Sequence, residues 1–412
     1  MKVNTMRTIN HYVGIPLCLL VSALLKIKDT LLRGKRGKAG KVNKVLFVEL
    51  SEMGSAILAD PAMRWIKKQG CELHFVIFKN NAASLDLLKT VPADNIFTLR
   101  PDNLFTLSTD TLKLMLWCRK KGIDTVIDLE LFSRVTSLIS MLSGASHPIG
   151  FDRVHEEGLY RGKHLTHPVM YNPHLHISKN FMVLAHSAMG CDHQPYQRET
   201  ISSNDIQLAR AEITETEKQA AIKKIRSLAP DYSPDKQRLV LINPNASDLL
   251  PQRRWMEDRF AEVIRTLINE YPDILVIITG APSEKASAEQ LNNKVNQSRC
   301  FNSAGLFQFS ELVPLYSISS LMLSNDSGPP HFASVTDLPS FVIFGPETPR
   351  LYGALSNSTP IYAGMACSPC VSAGNHRKTS CTDNQCLKAI TSDDVLKVIR
   401  PTLNNKVIAK AS

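Results

Sequence analysis

The octapeptide Ser324-Asn325-Asp326-Ser327-Gly328-Pro329-Pro330-His331 decides how this chain is read. It follows a mostly apolar run, Ile318 to Leu323, which reads as a buried strand or as the last turn of a helix leading into one. It precedes Phe332-Ala333-Ser334-Val335, which reads as a first helical turn. Glycine lets the backbone turn sharply without steric cost. A proline pair suits the first turn of a helix, where the missing N–H groups would have no partner anyway. The product is a strand–turn–helix corner with free N–H groups and a positive dipole end, suited to an anion such as a pyrophosphate. Asp326 and His331 flank it with a carboxylate and an imidazole. An Asp N-cap before an ordinary helix would leave the same letters, so the surrounding sequence must separate the two readings.

Outward from this corner the chain alternates short apolar strands with amphipathic helices. That pattern predicts an α/β protein with parallel sheets covered by helices on both faces. Strands are expected at Lys44–Leu50, Glu72–Phe78, Asp124–Leu129 and Arg238–Asn243. Helices are expected at Ser55–Lys68, Leu104–Lys121, Phe132–Leu142, Glu215–Leu228 and Met256–Glu270. The pattern restarts at Arg238, so two doubly wound, Rossmann-like domains facing a cleft are expected. The boundaries are an N-terminal arm over 1–44, a first domain over 45–200, a connection over 201–236, a second domain over 237–395 and a tail over 396–412. In such sheets ligands sit beyond the carboxyl ends of the strands.

A chain of 412 residues is too long for one ordinary core. Hydrophobic content of 43% and charge of 21% describe a folded protein, not a disordered one. The charge is concentrated. Residues 1–44 carry ten Lys or Arg against one acid, Asp29, which accounts for nine of the ten net positive charges. The remaining body is near neutral and offers nothing to a nucleic acid. Within the arm, Tyr12 to Leu25 is apolar but shorter than the about 20 residues of a spanning helix. Basic flanks suit a segment lying on an anionic membrane surface. Packing on the protein's own body is the alternative, and a single span stays open. The scattered Cys18, Cys71, Cys118, Cys191 and Cys300 read as small core residues of a reducing compartment.

Further stretches carry a resemblance. Leu338-Pro339-Ser340-Phe341-Val342-Ile343-Phe344-Gly345-Pro346 follows the corner as a buried strand and a Gly-Pro turn. Val45-Leu46-Phe47-Val48-Glu49-Leu50-Ser51-Glu52-Met53-Gly54-Ser55, with Asp60 to Arg64, opens the first domain. Leu241-Ile242-Asn243-Pro244-Asn245-Ala246-Ser247 and then Arg253-Arg254-Trp255 open the second, and Val276 to Gly280 forms its next strand and turn. In this order the motifs resemble glycosyltransferase family 9, the ADP-heptose:lipopolysaccharide heptosyltransferases. The resemblance implies the GT-B architecture and a sugar-nucleotide donor, ADP-heptose by family default. It implies a lipid-linked saccharide acceptor of the lipopolysaccharide-core type. The site of action would be peripheral, on the cytoplasmic face of a bacterial inner membrane. It also implies a donor site built from Asn245, Ser247, Arg253 or Arg254, Thr279, Gly280, Asp326, Ser327, Gly328, His331 and Gly345, with Asp326 on the transferred sugar.

Sugar transfer requires a stabilised leaving pyrophosphate and a proton acceptor for the incoming hydroxyl. The chain contains no Asp-x-Asp motif, so helix ends and basic side chains are expected to meet the phosphate charge in place of a divalent metal. The family's first loop carries an Asp after its Gly; here that position is Ser55, which cannot act as a base unaided. Glu52 is the first candidate base, with Glu130 and Glu49 behind it, and Ser51, Gly54, Ser55 and Glu130 are expected to line the acceptor-side loop. Loss of the Asp leaves open a non-catalytic relative that binds sugar nucleotide or glycolipid. Cys367, Cys370, Cys381 and Cys386, with His376 between them, have spacing compatible with a structural zinc or with packed thiols.

Overall fold

The computed structural model describes residues 3–31, 41–152, 160–190, 195, 200–375 and 377–405. Cys191, His376 and most of the basic stretch after Leu31 lie outside the described residues. The chain divides into two compact units, 1–207 and 208–412.

The first unit begins with α1 (Val3–Tyr12) and α2 (Gly14–Leu31). It continues through β1 (Lys44–Val48), α3 (Met53–Leu58), α4 (Asp60–Lys68), β2 (Glu72–Phe78), α5 (Ala83–Asp86) and β3 (Ile96–Leu99). Then come α6 (Leu104–Lys121), β4 (Thr125–Asp128), α7 (Arg134–Leu142), β5 (His147–Asp152), β6 (His167–Met170) and α8 (Ile177–Met189). Its strands form one sheet in the order β3-β2-β1-β4-β5-β6, parallel throughout. The central strands β1, β2, β4 and β5 are buried almost throughout, and β1 and β2 read as mostly apolar runs, as parallel strands under two helical layers do. α6 is well punctuated: Asn103 and Thr106 form a capping box, and Gly122 ends it at φ 71°.

The second unit comprises α9 (Glu215–Leu228), β7 (Arg238–Asn243), α10 (Glu257–Glu270), β8 (Ile274–Ile278), α11 (Lys285–Val295), β9 (Cys300–Asn302), α12 (Leu312–Ser317) and β10 (Leu321–Asn325). It closes with α13 (Gly328–Ala333), β11 (Ser340–Phe344), α14 (Pro349–Tyr352), β12 (Ser358–Tyr362), α15 (Gln385–Lys388) and α16 (Ser392–Asn405). The sheet order β12-β11-β10-β7-β8-β9 repeats that of the first unit, again all parallel. In each sheet the order reverses beside the first strand, between β1 and β4 and between β7 and β10. These are the switch points where doubly wound sheets leave a crevice.

The structure departs from expectation in three places. The single helix expected over Ser55–Lys68 is broken at Ala59 into α3 and α4. The tail expected from residue 396 is mostly α16, whose Val395, Leu396, Ile399 and Leu403 are buried in the second unit's core.

The third concerns the arm, which is not free of the body. α2 lies against α7, with Gly14 and Cys18 buried. A Cβ on Gly14 would stand 2.8 Å from Arg134 Cβ, so only glycine permits this approach. The Asn10 amide oxygen accepts from Arg134 N–H at 2.8 Å, serving one of the unpaired N–H groups that open α7. Ser22 Oγ accepts from Lys163 N–H at 3.0 Å. No single described helix is long and apolar enough to cross a membrane, whereas Thr5–Tyr12 and Gly14–Lys28 together match in length and composition with a bend of 41°.

Gly14→Val should overpack this seam by about 1–3 kcal/mol. The expected result is faster tryptic cleavage after Lys26 or Lys28 with the main melting transition in place. An unchanged cleavage rate would show that the seam does not hold the arm.

Candidate active site

In the second unit, the candidate residues gather around the β7/β10 switch point. Asn325 ends β10 with its side chain fully buried. A buried amide in an apolar strand must find partners. Its Nδ2 donates to Pro244 O at 2.6 Å, and its Oδ1 accepts from Trp255 N–H at 3.1 Å. One side chain thus ties the loop after β7 and the Arg253–Trp255 segment to the end of β10. Trp255 Nε1 donates in turn to Ile390 O at 3.0 Å. Asn243, at the end of β7, donates to Thr279 Oγ1 at 3.2 Å, and the Thr279 N–H donates to Ile242 O at 2.8 Å.

Within this frame Arg253 Nη1 stands 3.7 Å from Asp326 Oδ2, with both side chains largely buried. Arg253 Nε and Asn245 Nδ2 are buried donors without a hydrogen-bond partner among the described residues. Gly280 makes room for the Asn245 amide, since a Cβ there would lie 3.1 Å from Asn245 Nδ2. Arg254 behaves differently from its neighbour. Its Nε and Nη2 donate to Ala246 O at 3.0 and 2.6 Å, and Nη2 also pairs with Asp248. It braces its own loop. Ser247 is exposed and accepts from Leu249 N–H at 3.3 Å.

The corner itself is weaker as an anion site than its sequence suggests. α13 spans six residues, and Pro329 and Pro330 occupy its second and third positions. Of its first three residues only Gly328 has an N–H, so the burden of meeting negative charge passes to Arg253 and Asn245. Ser327 caps the corner by donating to Asn325 O at 3.1 Å. His331 is half-buried on α13. Gly345 is required by packing, because a Cβ there would lie 2.7 Å from Leu387 Cγ.

In the first unit, the candidates sit at the β1/β4 switch point. Glu49 follows β1 directly and is buried; Glu130 follows β4. Glu130 Oε1 accepts from the N–H groups of Leu50 and Ser51, each at 3.1 Å, and from Ser51 Oγ at 2.8 Å. Glu49 Oε1 accepts from the N–H groups of Ser51 and Glu52, each at 3.2 Å. Ser55 Oγ donates to Glu52 Oε2 at 3.1 Å. Gly54 lies inside α3 between these groups. Burial pushes the Glu49 carboxyl well above its ordinary range, and the charges of Glu130 and Glu52 push the same way. Glu49 therefore holds its proton more tightly than an ordinary carboxyl.

Beneath this trio, Asp128 pairs with Arg161, whose Nη1 and Nε donate to Phe151 O and Ser133 O at 3.1 Å each. Burial raises the Asp128 carboxyl to about 6 despite the guanidinium. This pair secures the segment that carries Glu130.

Asn243, Asn325, Asp128 and Arg161 were missed as site residues by sequence reasoning. For the two asparagines a signal existed: each closes a largely apolar strand. For Arg161, distant in sequence from Asp128, none did.

Among the described residues no group of three or more His, Cys, Asp or Glu is placed to hold a metal ion. Cys367 is exposed, Cys370 Sγ donates to Thr379 Oγ1 at 3.4 Å, Cys381 Sγ accepts from Asn384 N–H at 3.3 Å, and Cys386 is buried. The Cys370 and Cys381 thiols thus have local hydrogen-bond partners, and Cys386 feels the charges of Cys370, Cys381 and Cys367 beside it.

Each unit is a doubly wound parallel α/β sheet with polar residues gathered at its switch point. The sequence profile of glycosyltransferase family 9 (heptosyltransferase) matches residues 112–380, and the chain belongs to this family. It is 29% identical to lipopolysaccharide heptosyltransferase 2 of Salmonella typhimurium over 136 residues, 32% of this chain and 39% of that protein. The chain thus spans well under half of that relative. It is 22% identical to lipopolysaccharide heptosyltransferase 1 of Campylobacter coli over 362 residues, 86% of this chain and 98% of that one. The structure of the E. coli ADP-heptose lipopolysaccharide heptosyltransferase II is similar in fold, with a TM-score of 0.66 at 18% identity, over 88% of this chain and 98% of that chain.

The raised Glu49 carboxyl sets a pH dependence. A group whose folded pKa exceeds its unfolded value contributes stability at low pH that is lost as pH rises. Glu49→Gln should match the wild type near the ordinary pKa of 4.5 and gain on it progressively above that. Thermal melts of both proteins from about pH 5 to about pH 9 check this. Parallel curves would mean that Glu49 ionises normally.

Proposed function

We propose that this chain transfers a heptose or related sugar from a nucleotide-sugar donor to a lipid-linked saccharide of the lipopolysaccharide-core type, with inversion and without a divalent metal. The observation that carries this reading is the pair of buried, unsatisfied donors, Arg253 Nε and Asn245 Nδ2, beside Asp326 at the β7/β10 switch point. Buried donors without partners are rare in folded proteins and mark a place where an acceptor binds. A sugar nucleotide supplies both kinds of group required: phosphate oxygens for Arg253 and Asn245, and sugar hydroxyls for Asp326. ADP-heptose is the donor that family membership favours.

In the transfer, the acceptor oxygen bonds to the anomeric carbon as the carbon–phosphate oxygen bond breaks. The nucleoside diphosphate leaves with the bonding electrons, and Arg253 stabilises the charge that develops on it. The acceptor proton passes to Glu52. Ser55, at the position where the family carries its Asp, orients Glu52 by hydrogen bonding to its Oε2. Glu49 stands behind Glu52 as a candidate, because its carboxyl is buried and accepts from the N–H groups of Ser51 and Glu52. Glu130 is occupied in holding the loop amides. The reaction takes place at the cytoplasmic face of the inner membrane, with the arm over 1–44 against an anionic lipid surface.

Asp326→Ala and Arg253→Ala should each lower turnover by about 100- to 1000-fold without unfolding the protein, whereas Arg254→Ala should act mainly through stability. Normal turnover in Arg253→Ala would remove that residue from the site. Activity should survive EDTA; loss restored by magnesium would overturn the metal-free mechanism.

Glu52→Gln should lower turnover by about 100-fold or more with little change in donor affinity, and Ser55→Asp in that background should restore part of it. Full activity in Glu52→Gln rejects Glu52 as base. A wild-type protein that binds nucleotide sugar but turns over none would instead favour a non-catalytic relative.

A further inference from the structure

Two helices of the first unit carry large apolar side chains on the outside. α2 turns Gly14 and Cys18 towards α7, with Ser22 half-buried on the same seam. Its Leu17, Leu20, Leu24 and Ile27 face outward, each 40–55% exposed. This is the reverse of a helix that meets water with its polar face.

α6 repeats the pattern. Leu114, Met115 and Cys118 are buried in the sheet core, while Phe105 is 78% exposed and Leu112 and Leu116 are 66% exposed. Their spacing of seven and then four residues puts the three on one helical stripe. α6 and α7 cover the same face of the sheet, since Leu114, Cys118 and Ile139 share one core with Leu46 and Val126. α7 contacts α2 as well as α6, and its own Leu142 is exposed. The two apolar faces therefore flank α7.

The charges around them are mostly basic, with Asp102 just before α6 and Asp29 on α2 the acids nearby. The exposed residues of α6 include Lys113, Arg119 and Lys120 and no acid. Its one acid, Asp110, is buried and held by Arg100 at 2.7 and 2.8 Å. α2 adds Lys26 and Lys28. An apolar surface bordered by bases complements an anionic lipid surface, where side chains enter the acyl boundary and ammonium and guanidinium groups meet headgroups.

We infer that α2 and α6 form one docking face for an anionic lipid bilayer. The inference rests on the membrane-side reading of the arm and extends it to α6, far away in sequence. The face has a direction. α7 begins at Arg134, shortly after Glu130, and Asn10 of the arm caps that very end. The junction of α1 and α2 thus lies at the end of the sheet that carries Glu49, Glu52 and Glu130. A bilayer on this face would bring the headgroup of a lipid-linked acceptor to the side of the unit where the acceptor hydroxyl must lose its proton.

The test uses the full chain and sedimentation with vesicles of phosphatidylcholine and phosphatidylglycerol, against vesicles of phosphatidylcholine alone. Wild type should bind the mixed vesicles and lose most of that binding on the neutral ones. Phe105→Ser with Leu112→Ser and Leu116→Ser should lower binding at least tenfold with an unchanged melting temperature, because all three side chains are exposed. Lys113→Glu with Lys120→Glu, which spares the fold entirely, should abolish the preference for anionic vesicles. If removing residues 1–40 releases the protein but both α6 variants bind as wild type does, the arm acts alone and the role of α6 is overturned. A wild type that binds neither vesicle overturns both readings. A lipid-free dimer broken by the α6 triple variant, with vesicle binding intact, would make a second copy the occupant and also overturn the inference.

Discussion

The candidate site of the second unit depends on one buried amide. Asn325 reaches from the end of β10 to the loop after β7 and to the backbone of Trp255, using both its donor and its acceptor. Its two bonds tie three backbone segments together where they meet at the switch point. With this tie, Arg253 is set against Asp326 and keeps a buried Nε that no group among the described residues satisfies. A buried unpaired donor costs about 1–3 kcal/mol. The frame around Asn325 is what allows such a cost to be carried in the absence of ligand, because the Arg253 segment cannot relax away from its place.

The first unit solves the converse problem at the equivalent place in its sheet. Three carboxyl groups, Glu49, Glu52 and Glu130, crowd one strand end and would repel one another if all were ionised. Backbone amides absorb two of them: Leu50 and Ser51 serve Glu130, and Ser51 and Glu52 serve Glu49. The burden falls on Glu49, the most buried of the three, whose carboxyl is pushed above its ordinary range by burial and the neighbouring charges. Glu52 is thereby left as the carboxylate held by a side-chain hydroxyl. One sheet thus gathers positive charge and unsatisfied donors at its switch point, and the other gathers negative charge and acceptors.

Much of this was legible in the sequence, because parallel strands buried on both faces announce themselves as apolar runs. β1, β2, β4 and β7 fall where those runs stand, and α6 and α9 match their expected spans, each opened by a capping box. The short edge strands β3, β6, β9 and β12 carry too few apolar residues to stand out from loops. The break at Ala59 is invisible because an alanine between two apolar helical stretches satisfies both. At the site, residue types were readable but their pairing was not. Arg253 and Arg254 are adjacent and chemically equal in sequence; only the fold turns one towards Asp326 and the other onto Ala246. The double proline reads as a helix start, which it is, but the shortness of that helix depends on the turn at Ser334 and could not be foreseen.

The seam between α2 and α7 has a consequence of its own. It is made of Gly14, Cys18 and Ser22, four residues apart, meeting backbone and polar groups at close range. Such a joint gains little from the expulsion of water, since few large apolar groups are hidden in it. It relies on close fit and hydrogen bonding, which is how helices adhere to one another inside a bilayer. Adhesion of that kind does not depend on the surrounding solvent. The same joint can therefore hold whether the outer face of the helix is wetted by water or covered by hydrocarbon, and the arm need not be rebuilt when its environment changes.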